Sequence, residues 1–342
     1  MNLPDYNFLS APLWLVTTLH IVTLTLHFLA MNFLLGGVII VLLGKFTTRW
    51  HNPTVQTLLK LFPNAMAATI TFGVAPLLFV QLVFAKQIYS ASIVSAWFWL
   101  MIMVVAIVVY YFLYASSFSL NSKAGKAGTY LTIGLVGLIY VSFVYSSVFS
   151  LAERPSLIAS LYAAAQSGLV INTDIGAYIF RWLHMLLGAV TVGAFFVGLF
   201  GKNNEPAFAV GKKFYLWAMV AAMVLGLAYL FTMGDYILPF MRSVSIWLLL
   251  VSIVLSLGSL HFFFKKKFVP AALMLIVSLV GMVTIRHLVR LIHLDGLFDP
   301  ASIPFRPQWS IFAVFLVCFV IAVGLVWYMF RLYFTAQSQP GS

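Results

Sequence analysis

The chain is poor in acid, in cysteine and in charge of any kind. Asp and Glu number 7 against 19 Lys and Arg, and charged residues make up only 8% of 342. A soluble domain of this size needs far more polar surface than that. The single cysteine, Cys318, rules out a disulfide within the chain. No C-x-x-C-H occurs, which excludes covalently attached c-type haem. Cys318 reads as a small buried hydrophobe in the last apolar run. The acids are Asp5, Glu153, Asp174, Glu205, Asp235, Asp295 and Asp299, and none falls in the interior of an apolar run. Proton pumps and oxygen reductases normally need buried carboxyls for proton delivery; runs two, three and eight offer none. The first run also lacks a basic leader and a small-residue cleavage site, so it does not read as a signal peptide.

What is present is apolar. Hydrophobic residues are 63% of the chain and the mean hydropathy is +1.07. A membrane-crossing helix needs about 20 apolar residues. Nine runs of that kind occur, at 12–44, 63–85, 96–118, 128–151, 176–200, 213–233, 243–264, 269–290 and 309–334. They are apolar on every face, unlike the alternating segments of about ten residues in a β-barrel. The sequence therefore predicts an all-α integral membrane protein of about nine transmembrane helices, with residues 1–342 forming a single transmembrane domain. The longest pieces between runs are 152–175 and 291–308. Residues 157–162 have the pattern of a short interfacial helix, the three prolines of 295–308 suit an ordered surface loop, and 335–342 read as a frayed tail. No convincing internal repeat is visible.

The net charge of +12 is a topology signal and not a nucleic-acid footprint. Alternate loops hold Lys45, Arg49 and Lys60; Lys123 and Lys126; Lys202, Lys212 and Lys213; and Lys265, Lys266 and Lys267, with Arg331 near the end. The positive-inside rule makes these loops cytoplasmic. The N-terminus is then outside and the C-terminus cytoplasmic, in a multi-pass protein of a bacterial cytoplasmic (inner) membrane.

Five of the seven histidines then gather near the outer side: His20, His27, His184, His287 and His293. His51 reads as a solvated loop residue and His261 as an interfacial one. His27 and His184 occupy matched places in runs one and five, each followed nine residues later by a glycine, Gly36 and Gly193. The uncharged stretch from Ala11 to Gly44 would make about 50 Å of helix, against a hydrocarbon core of about 30 Å. If Lys45 marks the inner surface, His27 lies in the outer half and His20 near the outer headgroups, about 10.5 Å apart on nearly one face. Ionisable groups in a span point to function, and histidine is the usual axial ligand of haem iron. The lysines fall almost entirely on the inner side. Arg154, Arg181, Arg242, Arg286, Arg290 and Arg306 fall on the outer side, against positive-inside sorting. Arg181 precedes His184 by three residues, and Arg286 and Arg290 flank His287. The guanidinium fork suits carboxylates, so Arg181, Arg286, Arg290 and Arg242 are candidates to hold haem propionates. The competing reading is arginine snorkelling at helix ends.

With these residues in view, the chain resembles subunit I of the cytochrome bd quinol oxidases and the wider bd-like membrane cytochromes. His27-Phe28-Leu29 with Gly36 is similar to the family's high-spin haem segment, and His184 with Gly193 to its low-spin haem b segment. Gly73-Val74-Ala75 resembles a stretch that continues to a family glutamate, here about Gln81. The similarity covers about runs one to eight. The chain also departs from the family. Its Glu-x-x-Arg is here His287-Leu288-Val289-Arg290, and the trailing Gln-Pro-Trp is missing. The third-run glutamates are absent. The long quinol loop shrinks to Met233–Arg242. The family's Arg-x-Met becomes Arg242-Ser243-Val244, which leaves Met241, His293 or His20 to replace the methionine ligand. Imidazole on both faces of an iron favours a six-coordinate, low-spin haem over an open oxygen site.

The resemblance and its departures imply a membrane haem b protein with two or more haems. It would carry electrons between membrane quinol or quinone and an outer-face partner in a respiratory complex. His27, His184 and His287 lead as ligands, with His20 and His293 behind them. The partners implied are membrane lipid, the quinone pool, a periplasmic multihaem cytochrome c or iron–sulfur subunit, and a second membrane subunit. Two alternatives stand beside this reading: a divergent quinol oxidase reducing oxygen, and a non-haem transporter or anchor whose histidines only bond neighbouring helices.

Overall fold

The structure is a computed structural model that describes residues 8–46, 48–120 and 124–337. Lys123 and the tail beyond 337 lie outside the described residues. Among the described residues, nine helices are long and apolar enough to cross a membrane. The only strand-like pairing among them is an isolated bridge between Leu9 and Phe305. The chain is thus an all-helical, multi-span membrane protein. Its helices are α1 (Leu13–Leu43), α2 (Pro53–Val83), α3 (Ala85–Val94), α4 (Ala96–Ser119), α5 (Ala124–Leu151), α6 (Pro155–Ala164), α7 (Ile175–Phe200), α8 (Glu205–Thr232), α9 (Ile237–Arg242), α10 (Val244–Phe264), α11 (Phe268–Leu294) and α12 (Trp309–Gln337).

The nine apolar runs become the nine long helices, but several edges move. α2 starts at Pro53, well before the expected 63. Asn52 caps it, its Oδ1 accepting from the Thr54 and Val55 amides at 3.0 and 3.4 Å, and Pro53 fills the first helical position. α8 starts at Glu205 instead of 213 because Asn204 caps it by accepting from the Ala207 amide. α11 continues past 290 to Leu294, so His293 stands on a helix and not in a loop. Cations mark where the hydrocarbon ends, whereas caps mark where the helix ends. α6 is the short helix expected around 157–162; α3 and α9 were not expected. α12 lies almost wholly exposed, and Cys318 on it is exposed and not buried. The apolar character of that run reflects lipid contact, not a packed interior.

The packing contains a repeat that the sequence hides. α1 packs on α2, α4 on α5, α7 on α8 and α10 on α11, and the two sets meet where α1 lies against α7. One offset in number relates His27 to His184, Gly36 to Gly193 and Gly44 to Gly201. Gly36 and Gly193 face each other at the α1–α7 crossing. A Cβ on Gly36 would stand 2.9 Å from the Val190 Cα, and one on Gly193 would stand 2.5 Å from the Gly37 nitrogen. Only glycine lets the backbones approach this closely. At the lysine-rich end, Asn204 Nδ2 donates to Asn52 Oδ1 at 3.1 Å, so the two capping asparagines also meet. The hairpins match too. Ser116 donates to the Ala127 carbonyl between α4 and α5, and Ser259 donates to the Ala271 carbonyl between α10 and α11. The α1–α2 and α7–α8 pairs repeat one arrangement with α1 and α7 as the seam, and α11 also packs on α1.

The lysine-poor end is tied together by loops. The Leu9 amide donates to the Pro304 carbonyl at 2.8 Å, and the Arg306 amide to the Leu9 carbonyl at 2.9 Å. The N-terminal segment therefore lies beside the α11–α12 connection.

Candidate functional site

His27 and His184 are held in the same way. His27 Nδ1–H donates to the Thr69 carbonyl of α2 at 2.9 Å, and His184 Nδ1–H donates to the Ala222 carbonyl of α8 at 2.7 Å. Four residues past each acceptor stands a glycine, Gly73 or Gly226, that leaves room for the ring. A Cβ on Gly73 would lie 2.8 Å from His27 Nδ1, and one on Gly226 3.0 Å from His184 Nδ1. Tying Nδ1 to a carbonyl fixes the tautomer and leaves Nε2 as an acceptor. This is the usual arrangement behind a metal-ligating histidine. The same bond also satisfies a histidine that only links helices, so it permits ligation without requiring it. Both side chains are half-buried.

His20, two turns from His27 on α1, is buried, with Nδ1 bonded to the Pro76 carbonyl at 3.1 Å. The two acceptors, Thr69 and Pro76, are also two turns apart on α2, so the histidines climb one seam. Opposite His20 stands His287 of α11, with ring centroids 6.3 Å apart. Phe84 closes the space edge-on to His287, at 6.1 Å between centroids, and lies under the Arg290 guanidinium at 5.2 Å. His287 Nδ1 is buried and has no partner.

The arginines converge on a group that the sequence reading set aside. Glu153, just beyond α5, is buried, its side chain 2% exposed. Its Oε2 accepts from Arg181 Nη1 at 2.8 Å and from His293 Nδ1 at 3.1 Å. Arg286 and Arg290 approach Oε1, each at 3.7 Å. Beside them Arg154 pairs with Asp174. Burial alone would push the Glu153 carboxyl up. The positive Arg181, the bond from His293 and the Arg290 charge outweigh that and hold it down at about 2. Glu153 is therefore the carboxylate at the centre of this end, although it lies outside every apolar run.

One carboxylate does not balance three guanidiniums. Arg290 Nε and Nη1 are buried without a hydrogen-bond partner, as is Glu153 Oε1, while Arg181 also interacts with the Tyr229 hydroxyl. Unpaired buried donors are costly, and buried positive charge calls for further anionic groups. The side chains of Arg181 and Arg290 are only 5% and 4% exposed, so these two do not snorkel.

Two of the remaining candidates lie apart from this arrangement. Arg242 and Met241 are both exposed on α9. His293 is buried, with Tyr236 edge-on at 4.7 Å between centroids, and its Nδ1 is committed to Glu153. Among the described residues no group of three or more His, Cys, Asp or Glu is placed to hold a metal ion. No protein-family model matches the chain, and no curated protein matches it. The fold and this site define a polytopic, all-helical membrane protein whose lysine-poor end holds paired histidines beside an under-neutralised arginine cluster.

Proposed function

We propose that the protein is a bd-like membrane cytochrome b. In this reading it binds at least two haem b groups and passes electrons between the quinone pool and a redox partner at the outer face. One observation carries the reading: His27 and His184 repeat a single support, a carbonyl on Nδ1 and a glycine clearing the ring, on both sides of the α1–α7 seam. The support is the one a ligating imidazole needs, and it occurs twice in the same register with Nε2 left as an acceptor. The donor set fits haem in a second way. Three guanidiniums around one carboxylate leave an excess of positive charge and orphaned donors. The two carboxylates of a haem match that excess.

Bound haem would supply one-electron transfer. The chain's own groups do the rest. The Thr69 and Ala222 carbonyls hold the imidazoles in one tautomer. Arg181, Arg286 and Arg290 would hold carboxylates at the lysine-poor end, and the apolar helices exclude water. Lysine at the opposite end makes the site face outward. Quinol would reach it laterally from the bilayer, and the partner, a multihaem cytochrome c or an iron–sulfur subunit, would dock on the outer loops.

A reduced-minus-oxidised spectrum of the purified protein tests this. Low-spin b bands that do not change with carbon monoxide are expected. A colourless protein, natively assembled and taken from haem-replete cells, rejects the proposal. His184→Ala should remove one low-spin haem while the helices stay folded; unchanged haem content would reject His184 as a ligand.

A further inference from the structure

We infer that the lysine-rich end carries a site for one anionic phospholipid, in a groove between α8 and the α10–α11 turn. The groove offers about 690 Å³, within the about 300–1,000 Å³ usual for a small-ligand site. Lys212 and Lys213 line it from α8, and Lys265 and Lys266 from the turn. Two aromatic rings set where the ammonium groups stand. Lys212 Nζ lies over Phe264 at 4.9 Å from the ring centroid and over Phe208 at 5.8 Å, and Lys266 Nζ lies over Phe208 at 4.8 Å. The turn itself takes an unusual shape. Lys266 has a φ of +56°, a left-handed conformation in which a helix C-terminus normally places glycine. The Lys266 and Lys267 amides then donate to the Phe263 and Phe262 carbonyls, each at 2.9 Å. The Lys266 side chain reaches α8, where it pairs with Glu205.

One acid does not match four lysines. Glu205 is engaged by Lys266, and Lys212, Lys213 and Lys265 have no carboxylate within ion-pair distance among the described residues. Positive-inside sorting puts lysines at this end, but it does not gather them from two separate helices into one groove. A membrane leaflet supplies the missing anion. The apolar run of α8 begins at Lys213 and that of α10 ends at Phe264, so the groove sits where hydrocarbon gives way to headgroups. Leu216 and Trp217 form its apolar side. Trp217, Val224 and Phe231 follow one another every seven residues on α8, as do Phe264, Leu257 and Leu250 on α10, and all six are exposed. Seven residues make two turns, so each set lies on one face and continues the groove as an apolar row for an acyl chain. A soluble anion would use the lysines and leave these rows idle. A phosphate with acyl chains attached uses both, as basic pockets between transmembrane helices do for acidic lipid headgroups. The site lies at the opposite end from the Glu153–arginine cluster, and it stands whether or not the protein binds haem.

Lipid retention by the full-length protein in neutral detergent tests this. Native mass spectrometry counts dioleoyl-phosphatidylglycerol or dioleoyl-phosphatidylcholine bound per chain, with and without inorganic phosphate. One phosphatidylglycerol should be held in strong preference to phosphatidylcholine, and millimolar phosphate should not displace it. Each lysine near an anionic membrane surface is worth about fivefold in binding. K212Q/K213Q/K265Q should therefore bind phosphatidylglycerol on the order of a hundredfold more weakly. Lys45, Lys60 and Lys126 are exposed at the same end, and K45Q/K60Q/K126Q should leave the affinity unchanged. If the first triple variant folds poorly, Lys213→Gln and Lys265→Gln singly, both at exposed positions, should each cost about fivefold. Equal losses in the two triple variants would reduce the effect to net charge and overturn the site. Equal retention of the two lipids would overturn it as well. Displacement by phosphate would make it a site for a soluble anion and overturn the lipid assignment.

Discussion

Glu153 carries more charge interaction than any other residue in the described structure. Three arginines and His293 surround it. Glu153→Gln should therefore be severely destabilising, because it leaves buried guanidiniums with no counter-charge. Breaking such a pair typically costs about 3–5 kcal/mol. Thermal unfolding in detergent should show a large fall in midpoint, and a midpoint unchanged from wild type would contradict the assigned burial. The pH dependence has a definite sign. The folded carboxyl is held at about 2, below its ordinary value of 4.5. Its contribution to stability is then fully present above pH 4.5 and is lost as pH falls through that value toward 2. Denaturant titrations in that window should show wild type losing stability faster than Glu153→Gln. Much of this site was legible residue by residue: arginine on the wrong side for positive-inside sorting flagged the cluster. Glu153 itself was not singled out, because it stands just past an apolar run and the sequence does not show what packs over it. Only the tertiary fold reveals that α7 and α11 bring their guanidiniums onto it.

At the scale of the element, glycine decides which helices meet. Gly→Ala inside a helix normally gains up to about 1 kcal/mol of propensity. Gly188 of α7, where an added Cβ meets nothing within 4 Å, should show that gain or be neutral. Gly193→Ala on the same helix should do the opposite. Its Cβ would press on the backbone of α1, which cannot yield as a side chain tip can, and overpacking costs about 1–3 kcal/mol. A thermal midpoint that rises for Gly188→Ala and falls for Gly193→Ala would confirm the seam; equal shifts would refute it. Gly73→Ala probes the histidine cradle instead. Its Cβ would lie within 2.8 Å of His27 Nδ1 and 2.9 Å of Cε1, so the ring must swing off the Thr69 carbonyl. Under the haem proposal, pigment content per chain should fall in this variant by more than the fold is weakened. Retention of full pigment would remove His27 from the ligand set. The matched His–Gly spacing of runs one and five was visible in the sequence. Gly73 stood out as part of Gly73-Val74-Ala75, but its pairing with His27, and that of Gly226 with His184, was not legible, because these glycines lie on other helices and at no fixed distance along the chain from the histidines they clear.

At the scale of the molecule, composition alone was enough to count the spans, because each one must be apolar along its whole length to sit in lipid. Pairing was not legible. In lipid the helices are apolar on all sides, so no amphipathic stripe says which faces meet. The matched helix pairs share too few identical positions to be seen without coordinates. Orientation rests on lysine placement, and it decides where any partner must dock. It can be tested with the single native thiol replaced, Cys318→Ala, and one new cysteine placed at either end. Ser302→Cys lies exposed in the α11–α12 connection at the lysine-poor end, and Asn203→Cys lies exposed in the turn between α7 and α8, beside Lys202. A membrane-impermeant maleimide added to intact cells should label position 302 and spare position 203 until the membrane is opened. The reverse pattern would place the Glu153–arginine cluster on the cytoplasmic side. Under the haem proposal the electron partner would then have to be cytosolic, and a periplasmic cytochrome c could no longer reach the site.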